Sequence, residues 1–197
     1  MTKENIVTPK GVLVYPHLNK PDTKFDKDGV WRATLRIAKS DAKELVESID
    51  NQISLNADNV KKERNKEARV APTPYKDDGE GNYEFTFKLK ASGVRQTGER
   101  WNQKPILYDA KGNLFNPKDI IWGGSEAKVA FQPSPYFVPS IGAGVSLRLK
   151  AVQIINLVTG GNDASTFGFK KEDGFEAKDD VNAEAPLEEA TAATADF

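Results

Sequence analysis

The sequence predicts a mainly β fold with a single helix, and three observations indicate it. Five segments are rich in β-branched and aromatic residues, and three of these alternate apolar and polar side chains with the period of a half-buried strand. One segment, between the second and third strands, has helical spacing instead. With 197 residues, 38% of them hydrophobic, the chain is long enough for one core and a polar extension.

The first two predicted strands lie on either side of a turn-rich loop. The first strand contains two β-rich segments, Ile6–Val7 and Val12–Tyr15, on either side of a kink at Pro9–Gly11. The Pro, Asp and Gly residues of 19–29 predict the loop that separates it from the second strand. The outer face of the second strand is polar and mostly basic: Arg32, Thr34 and Arg36.

The helix is predicted from Ser40 to about Leu55. Ser40 is placed as the N-cap, and Asp41 and Glu44 lie in the first turn, where acidic side chains favour the helix dipole. The apolar residues at helical spacing predict packing on the sheet: Ala42, Leu45, Val46, Ile49 and Ile53. The charged residues of 59–70 predict a frayed continuation or a surface segment, and the Pro and Gly residues of 71–82 predict a loop.

Three further strands complete the prediction. The third covers Tyr83 to Ala91, and its polar face ends in Lys88 and Lys90. The last two cover 126–139 and 143–158. Residues 92–124 are irregular, and a loop of this length in a compact domain is either functional or contradicts the assignments.

Five strands, one intervening helix and long loops predict a small closed barrel or a sandwich. A basic outer face and aromatic residues in the loops favour a five-stranded, partly open Greek-key barrel of the OB type, a fold that binds oligonucleotides. We therefore expect an OB-fold domain over residues 1–160 and a flexible acidic tail over 161–197 that ends in Phe.

The charge of the chain is divided between these two parts. Residues 172–197 contain nine acidic residues and one basic residue, a net charge of −8, whereas residues 1–171 contain 27 basic and 20 acidic residues, a net charge of +7. A basic body joined to an acidic tail can bind a polyanion and can also bind its own tail.

The residue types argue against catalysis. There is no cysteine, His17 is the only histidine, and no phosphate-binding loop or nucleophile elbow is present, so we expect no enzyme, no cofactor and no metal. Four acidic residues could build a metal-dependent nuclease, although the same residues suit a hairpin turn: Asp77, Asp78, Glu80 and Glu84. No apolar run of about 18 residues and no signal segment is found, so we expect no membrane span.

The basic and aromatic residues instead predict a surface for single-stranded nucleic acid, on which cations neutralise phosphates and aromatic rings stack on bases. Fourteen residues are candidates, taken from the outward strand faces and the loops: Arg32, Arg36, Lys88, Lys90, Arg95, Arg100, Trp101, Tyr108, Trp122, Lys128, Tyr136, Phe137, Arg148 and Lys150. The aromatic residues on the apolar phase are assigned to the core: Trp31, Phe85, Phe87 and Phe131. Nothing in the pattern favours readout of base edges, so the expected binding is independent of sequence.

Two motifs also resemble a known family. The segments "TPKGVLVYPHLNKPD" and "WRATLRIAKSDAKEL" resemble the start of phage single-stranded DNA-binding proteins of the Enc34-like family, and the acidic end with Asp196–Phe197 is similar to the tail of the T7-type proteins. The resemblance implies a protein that coats single strands during replication, recombination and repair in the cytoplasm of the infected host. It also implies a tail that competes with DNA and recruits the polymerase and the helicase or primase through five residues: Glu184, Glu188, Glu189, Asp196 and Phe197.

The residues leave other interpretations open. A structural or scaffold phage protein with an OB-like domain would carry the same strands without DNA affinity, and a nuclease would degrade its substrate in the presence of metal. A homodimer is compatible with the sequence.

Overall fold

The computed structural model describes residues 5–64, 69–116 and 120–159. These residues form ten strands and one helix: β1 (Ile6–Val7), β2 (Gly11–Asp22), β3 (Val30–Ala38), α1 (Lys39–Arg64), β4 (Tyr75–Asp77), β5 (Asn82–Lys90), β6 (Ser92–Val94), β7 (Arg100–Asn102), β8 (Ile106–Tyr108), β9 (Glu126–Val138) and β10 (Gly142–Asn156). The five predicted strands correspond to the five long ones: β2, β3, β5, β9 and β10.

The five long strands form a ring. Antiparallel pairs join β2 to β3, β3 to β5 and β9 to β10, while β2 also pairs with β9 and β5 runs parallel to β10. The contact between β5 and β10 extends over two pairs only, Phe87 with Leu147 and Lys88 with Arg148. The predicted fold, a partly open five-stranded barrel with one helix, is therefore confirmed.

The core lies inside this ring. Phe85, Phe87 and Phe131 are fully buried, and the rings of Phe87 and Phe131 lie 5.1 Å apart. Trp31 packs against the core and donates a hydrogen bond from Nε1 to the carbonyl oxygen of Gln103 at 2.7 Å. All four aromatic residues that the sequence pattern assigned to the core thus pack in or against it. The strand period of two places alternate residues on one face, which explains this agreement.

The helix is in the predicted place but is longer than predicted. It begins at Lys39 and ends at Arg64, so Ser40 lies within its first turn and its hydroxyl donates to Asp41 Oδ1 at 2.9 Å. Four of the five predicted apolar residues are buried, and Val60 adds a further buried position near the end. The charged stretch after Leu55 continues the helix because it contains no Gly or Pro before Arg64 and because Val60 contributes to packing.

Two segments predicted as irregular contain short strands. β4 lies within the predicted loop 71–82, and the stretch 92–124 contains the hairpin β6–β7 and the strand β8, which pairs with β10. Strands of three residues are too short to show an alternating pattern, so sequence reasoning missed them.

Candidate nucleic-acid interface

A groove with a volume of about 650 Å³ crosses the outer face of the barrel where β5 meets β10. The segment that leads into β4 forms one wall, and the strand β7 contributes to the other. Five of the fourteen predicted residues line this groove: Lys88, Lys90, Trp101, Tyr136 and Arg148. The structure therefore brings together cations and aromatic rings from parts of the chain that are up to 60 residues apart.

A row of three basic residues crosses β3, β5 and β10, and two of them, Lys88 and Arg148, line the groove, whereas Arg32 does not. Lys88 lies opposite Arg32 in the pairing of β3 with β5, and opposite Arg148 in the pairing of β5 with β10. Residues directly opposite on one face have neighbouring side chains. Among the described residues, Lys88 and Arg148 take part in no ion pair, whereas Arg32 Nη2 lies 3.4 Å from Asp22 Oδ2. The charges of these two groove residues are thus not paired with any carboxylate of the described residues.

Two of the aromatic rings that line the groove, Trp101 and Tyr136, each lie over a glycine of the neighbouring strand. Trp101 is paired with Gly93, and a Cβ at Gly93 would lie 2.7 Å from Trp101 Cζ2. Tyr136 is paired with Gly144, and a Cβ there would lie 2.6 Å from Tyr136 Oη. Only glycine leaves room for these rings, which are held flat against the backbone of the partner strand.

Gln103 connects the β7 side of the groove to its floor. Its Nε2 donates to the carbonyl oxygen of Lys90 at 2.7 Å, and its Oε1 accepts from Arg148 Nη2 at 3.4 Å. Sequence reasoning missed Gln103, since an isolated glutamine in an irregular stretch carries no pattern.

The end of the groove next to β4 is neutralised by a cluster of ion pairs. Glu84 is 6% exposed and accepts from Arg36 Nη2 at 2.9 Å, while Lys76 Nζ lies 3.0 Å from its other oxygen. Asp78 lies 3.5 Å from Arg36 Nε. These contacts lower the pKa of Glu84, through Arg36 first and Lys76 second, and the hydrogen bond to Glu84 raises the pKa of Arg36. Arg36 therefore lies on the predicted face, but its charge is already compensated.

Two of the predicted cations, Lys90, which lines the groove, and Arg100, which does not, contact the same carboxylate. Asp28, from the loop between β2 and β3, lies 3.1 Å from Lys90 Nζ and 3.4 Å from Arg100 Nη2. Arg95 lies in the β6–β7 hairpin that also carries Arg100. Its Nη1 lies 3.3 Å from Glu99 Oε2, and it does not line the groove.

Several predicted residues lie away from the groove. Tyr108 and Lys128 line a separate cavity of about 300 Å³ over β1, β8, β9 and β10. The Arg64 guanidinium stacks over the ring of Phe137, 4.3 Å from its centroid. Trp122 is 47% exposed, and its amide donates to the carbonyl oxygen of Val158, beyond the end of β10. The fourteen residues therefore do not form one surface, because sequence alternation does not specify position along a strand.

Lys150 lies on β10 two residues beyond Arg148, where the register with β9 shifts between Leu149 and Ala151. It is partly exposed but does not line the groove. The five predicted tail residues lie outside the described residues: Glu184, Glu188, Glu189, Asp196 and Phe197.

Phe25 is an exposed aromatic residue that sequence reasoning did not select. It is 86% exposed in the loop between β2 and β3, with Lys24 Nζ 5.5 Å from the ring centroid. The feature that could have identified Phe25 from the sequence is its position as an aromatic residue within a loop rich in Asp and Lys.

Three of the four acidic residues considered for a nuclease, Asp77, Asp78 and Glu84, have side-chain partners among the described residues. Lys39 pairs with Asp77, whose Oδ1 accepts from the amide of Gly79 at 2.9 Å, and Asp78 Oδ1 accepts from the amide of Glu80 at 2.8 Å. Within 5–64, 69–116 and 120–159, no three such side chains are arranged to hold a metal ion. The one helix in these ranges is not apolar enough to cross a membrane.

Comparison with known proteins relates this chain to a family. Residues 10–157 match the family model described as single-stranded DNA-binding protein, bacteriophage T7. The chain is 33% identical over 119 residues to the single-stranded DNA-binding protein of Escherichia phage T7, and 35% identical over 104 residues to that of Enterobacteria phage T3. These alignments cover 59% and 51% of this chain, but only 51% and 45% of the two relatives, about half of their length.

Solved structures show the same fold. The crystal structure of gp2.5, a single-stranded DNA-binding protein encoded by bacteriophage T7, superposes with a TM-score of 0.72 at 28% identity, over 90% of this chain and all of that one. The single-stranded DNA-binding protein of bacteriophage Enc34, solved in complex with single-stranded DNA, superposes with a TM-score of 0.59 at 19% identity, over 81% of this chain and 91% of that one.

Proposed function

The chain belongs to the family of the bacteriophage T7 single-stranded DNA-binding protein, and we propose that it binds single-stranded DNA, without sequence preference, in the groove between β5 and β10. The observation that carries the proposal is one groove lined by Lys88 and Arg148, two cations with no ion-pair partner among the described residues, and by the rings of Trp101 and Tyr136.

This arrangement suits a single strand. Phosphates are neutralised by the basic row, and flexible bases can stack on the aromatic rings at either side, each stack contributing roughly 1–3 kcal/mol. No side chain of a helix is presented to the groove, since only strand and loop residues line it among those described. Stacking and phosphate contacts do not distinguish bases, which accounts for binding independent of sequence.

We further propose the wider role that the family suggests. The protein coats and protects single strands during replication and recombination in the cytoplasm of the infected host. Its acidic tail, with Glu184, Glu188, Glu189, Asp196 and Phe197, competes with DNA and recruits replication proteins such as the polymerase and the helicase or primase. The related proteins are named for binding single-stranded DNA, and we propose binding and no catalysis for this protein as well.

The proposed groove is tested by substitution of Lys88 and Arg148. Lys88→Gln and Arg148→Gln should each weaken binding to labelled oligo-dT about fivefold at low salt, equivalent to about 1 kcal/mol. Each should also reduce the slope of log affinity against log salt by about 0.7, because one phosphate contact is lost. The measurement is fluorescence anisotropy at two or more salt concentrations.

Lys43→Gln is the matched control. Lys43 lies on the exposed side of α1, outside the groove lining, and the substitution removes the same charge. Equal effects of all three variants would assign the loss to net charge and would contradict binding in this groove. Absence of binding by the unmodified protein would favour the structural or scaffold interpretation.

A further inference from the structure

The loop between β2 and β3 places a carboxylate between Lys90, which lines the groove, and Arg100, which does not. Asp28 Oδ2 lies 3.1 Å from Lys90 Nζ, and Asp28 Oδ1 lies 3.4 Å from Arg100 Nη2. Each cation therefore contacts a different oxygen of the same group. The three side chains are partly exposed, at 31% for Asp28, 48% for Lys90 and 66% for Arg100, so solvent and ligands can reach them.

We propose that Lys90 and Arg100 form a phosphate subsite, and that Asp28 occupies it until a DNA phosphate displaces the carboxylate. The proposal deepens the proposed function and rests on it. A phosphodiester presents two anionic oxygens, as a carboxylate does, and both cations donate to such groups. Lys90 and Trp101 line the same groove, so a phosphate bound to Lys90 lies in the groove that holds this stacking ring.

The position of the loop does not depend on the Asp28 carboxylate. The amide of Ala91 donates to the carbonyl oxygen of Gly29 at 2.7 Å, and the Ser92 hydroxyl donates to the carbonyl oxygen of Asp28 at 2.8 Å. The amide of Asp28 donates to Asp26 Oδ1 at 3.0 Å. These contacts use backbone atoms of Asp28 and Gly29, so the carboxylate can be exchanged or neutralised while the loop stays anchored.

Asp28 thus limits the affinity for DNA. A cation already paired with a carboxylate releases fewer counterions when a phosphate binds it. Asp28→Asn keeps the shape of the side chain and removes its charge, so it should leave the two cations available to DNA.

The experiment measures oligo-dT binding by anisotropy, between about 50 and 200 mM salt, for wild type, Asp28→Asn and Asp26→Asn. Asp28→Asn should bind about two- to fivefold more tightly at the low-salt end, the range expected for release of an exposed ion pair. Its salt slope should steepen by about 0.7, corresponding to one more phosphate contact.

Asp26→Asn is the matched control. It removes the same charge from the same loop and keeps an oxygen that accepts from the amide of residue 28, and Asp26 forms no ion pair with the described residues. Its affinity and slope should stay close to those of wild type. An equal gain in both variants would assign the effect to net charge and overturn the proposal.

A second set of variants tests whether Asp28 competes with DNA for the two cations or instead positions them. In a variant carrying Lys90→Gln and Arg100→Gln, addition of Asp28→Asn should give no further gain. Weaker binding by Asp28→Asn alone would show that the carboxylate positions the cations, and would overturn the proposal. Failure of wild type to bind oligo-dT would instead refute the proposed function itself.

Discussion

At the scale of single residues, the groove depends on two aromatic rings that lie over glycines. Trp101 over Gly93 and Tyr136 over Gly144 present flat surfaces whose position is set by backbone pairing. A ring held in this way loses little conformational freedom when a base stacks on it, so more of the stacking energy remains for binding.

Replacement of Trp101 should therefore reduce affinity for oligo-dT. Trp101→Leu should cost roughly 1–3 kcal/mol, the value of one stacked base, and should abolish the quenching of tryptophan fluorescence by DNA. Trp101→Phe should lose the quenching but keep most of the affinity. Trp122→Phe is the control, because Trp122 lies outside the groove. If quenching disappears in this variant, Trp122 and not Trp101 is the ring that stacks on DNA.

At the scale of elements, the ion pairs around Glu84 hold β4, β5 and β3 together. Glu84 lies opposite Arg36 in the pairing of β3 with β5 and opposite Lys76 in the pairing of β4 with β5. Tyr75, on the same short strand, donates from its hydroxyl to Asp50 of α1 at 2.8 Å, and its burial raises its pKa. Ion pairs and this hydrogen bond thus add to the backbone pairing and to the packing of Tyr75 on Tyr83 and Phe85 that attach this short strand.

Stability should consequently depend on pH through Glu84. Its pKa is lowered in the folded protein, so its contribution is present above the ordinary value of 4.5 and is lost as pH falls through the lowered value. Glu84→Gln should reduce the free energy of unfolding by roughly 1–3 kcal/mol at pH 7, and the difference from wild type should shrink toward pH 3. Thermal unfolding at both pH values measures this.

Glu80→Gln provides the comparison for Glu84. Glu80 lies in the turn before β5, and its side chain forms no ion pair with the described residues. The substitution should change the unfolding temperature little at either pH. A loss that is the same for Glu84→Gln at pH 7 and pH 3 would contradict the electrostatic explanation.

At the scale of the whole molecule, charge is segregated along the chain. Residues 1–171 have a net charge of +7 and residues 172–197 have −8, so the proposed competitor of DNA would be an anion that is permanently attached to the protein. The strength of this competition depends on salt, because exposed charges are screened.

Truncation after Lys171 should tighten binding to oligo-dT severalfold at low salt, with a smaller gain at high salt. All described residues precede this point, so the barrel is retained. A full-length variant with Glu184, Glu188, Glu189 and Asp196 changed to their amides should reproduce part of the gain. Equal affinity of the truncated and complete chains at low salt would show that the tail does not compete with DNA.

The sequence by itself determined which residues face inward and which class of ligand suits the surface. Phe85 and Phe87 alternate with Thr86 and Lys88, and this period predicts burial correctly because it is a local property of an extended chain. The segregation of charge is likewise visible without coordinates, as is the excess of basic residues on the polar strand faces.

Only the tertiary structure decided which of these residues meet. Arg36 and Lys88 both lie on polar strand faces, yet register places Arg36 opposite Glu84 and places Lys88 opposite Arg32 and beside Arg148. Register and strand order arise from pairings between segments far apart in the chain, and alternation specifies a face but not a neighbour. For that reason five of the fourteen candidates form the groove, and Asp28 and Gln103 became visible only in the folded protein.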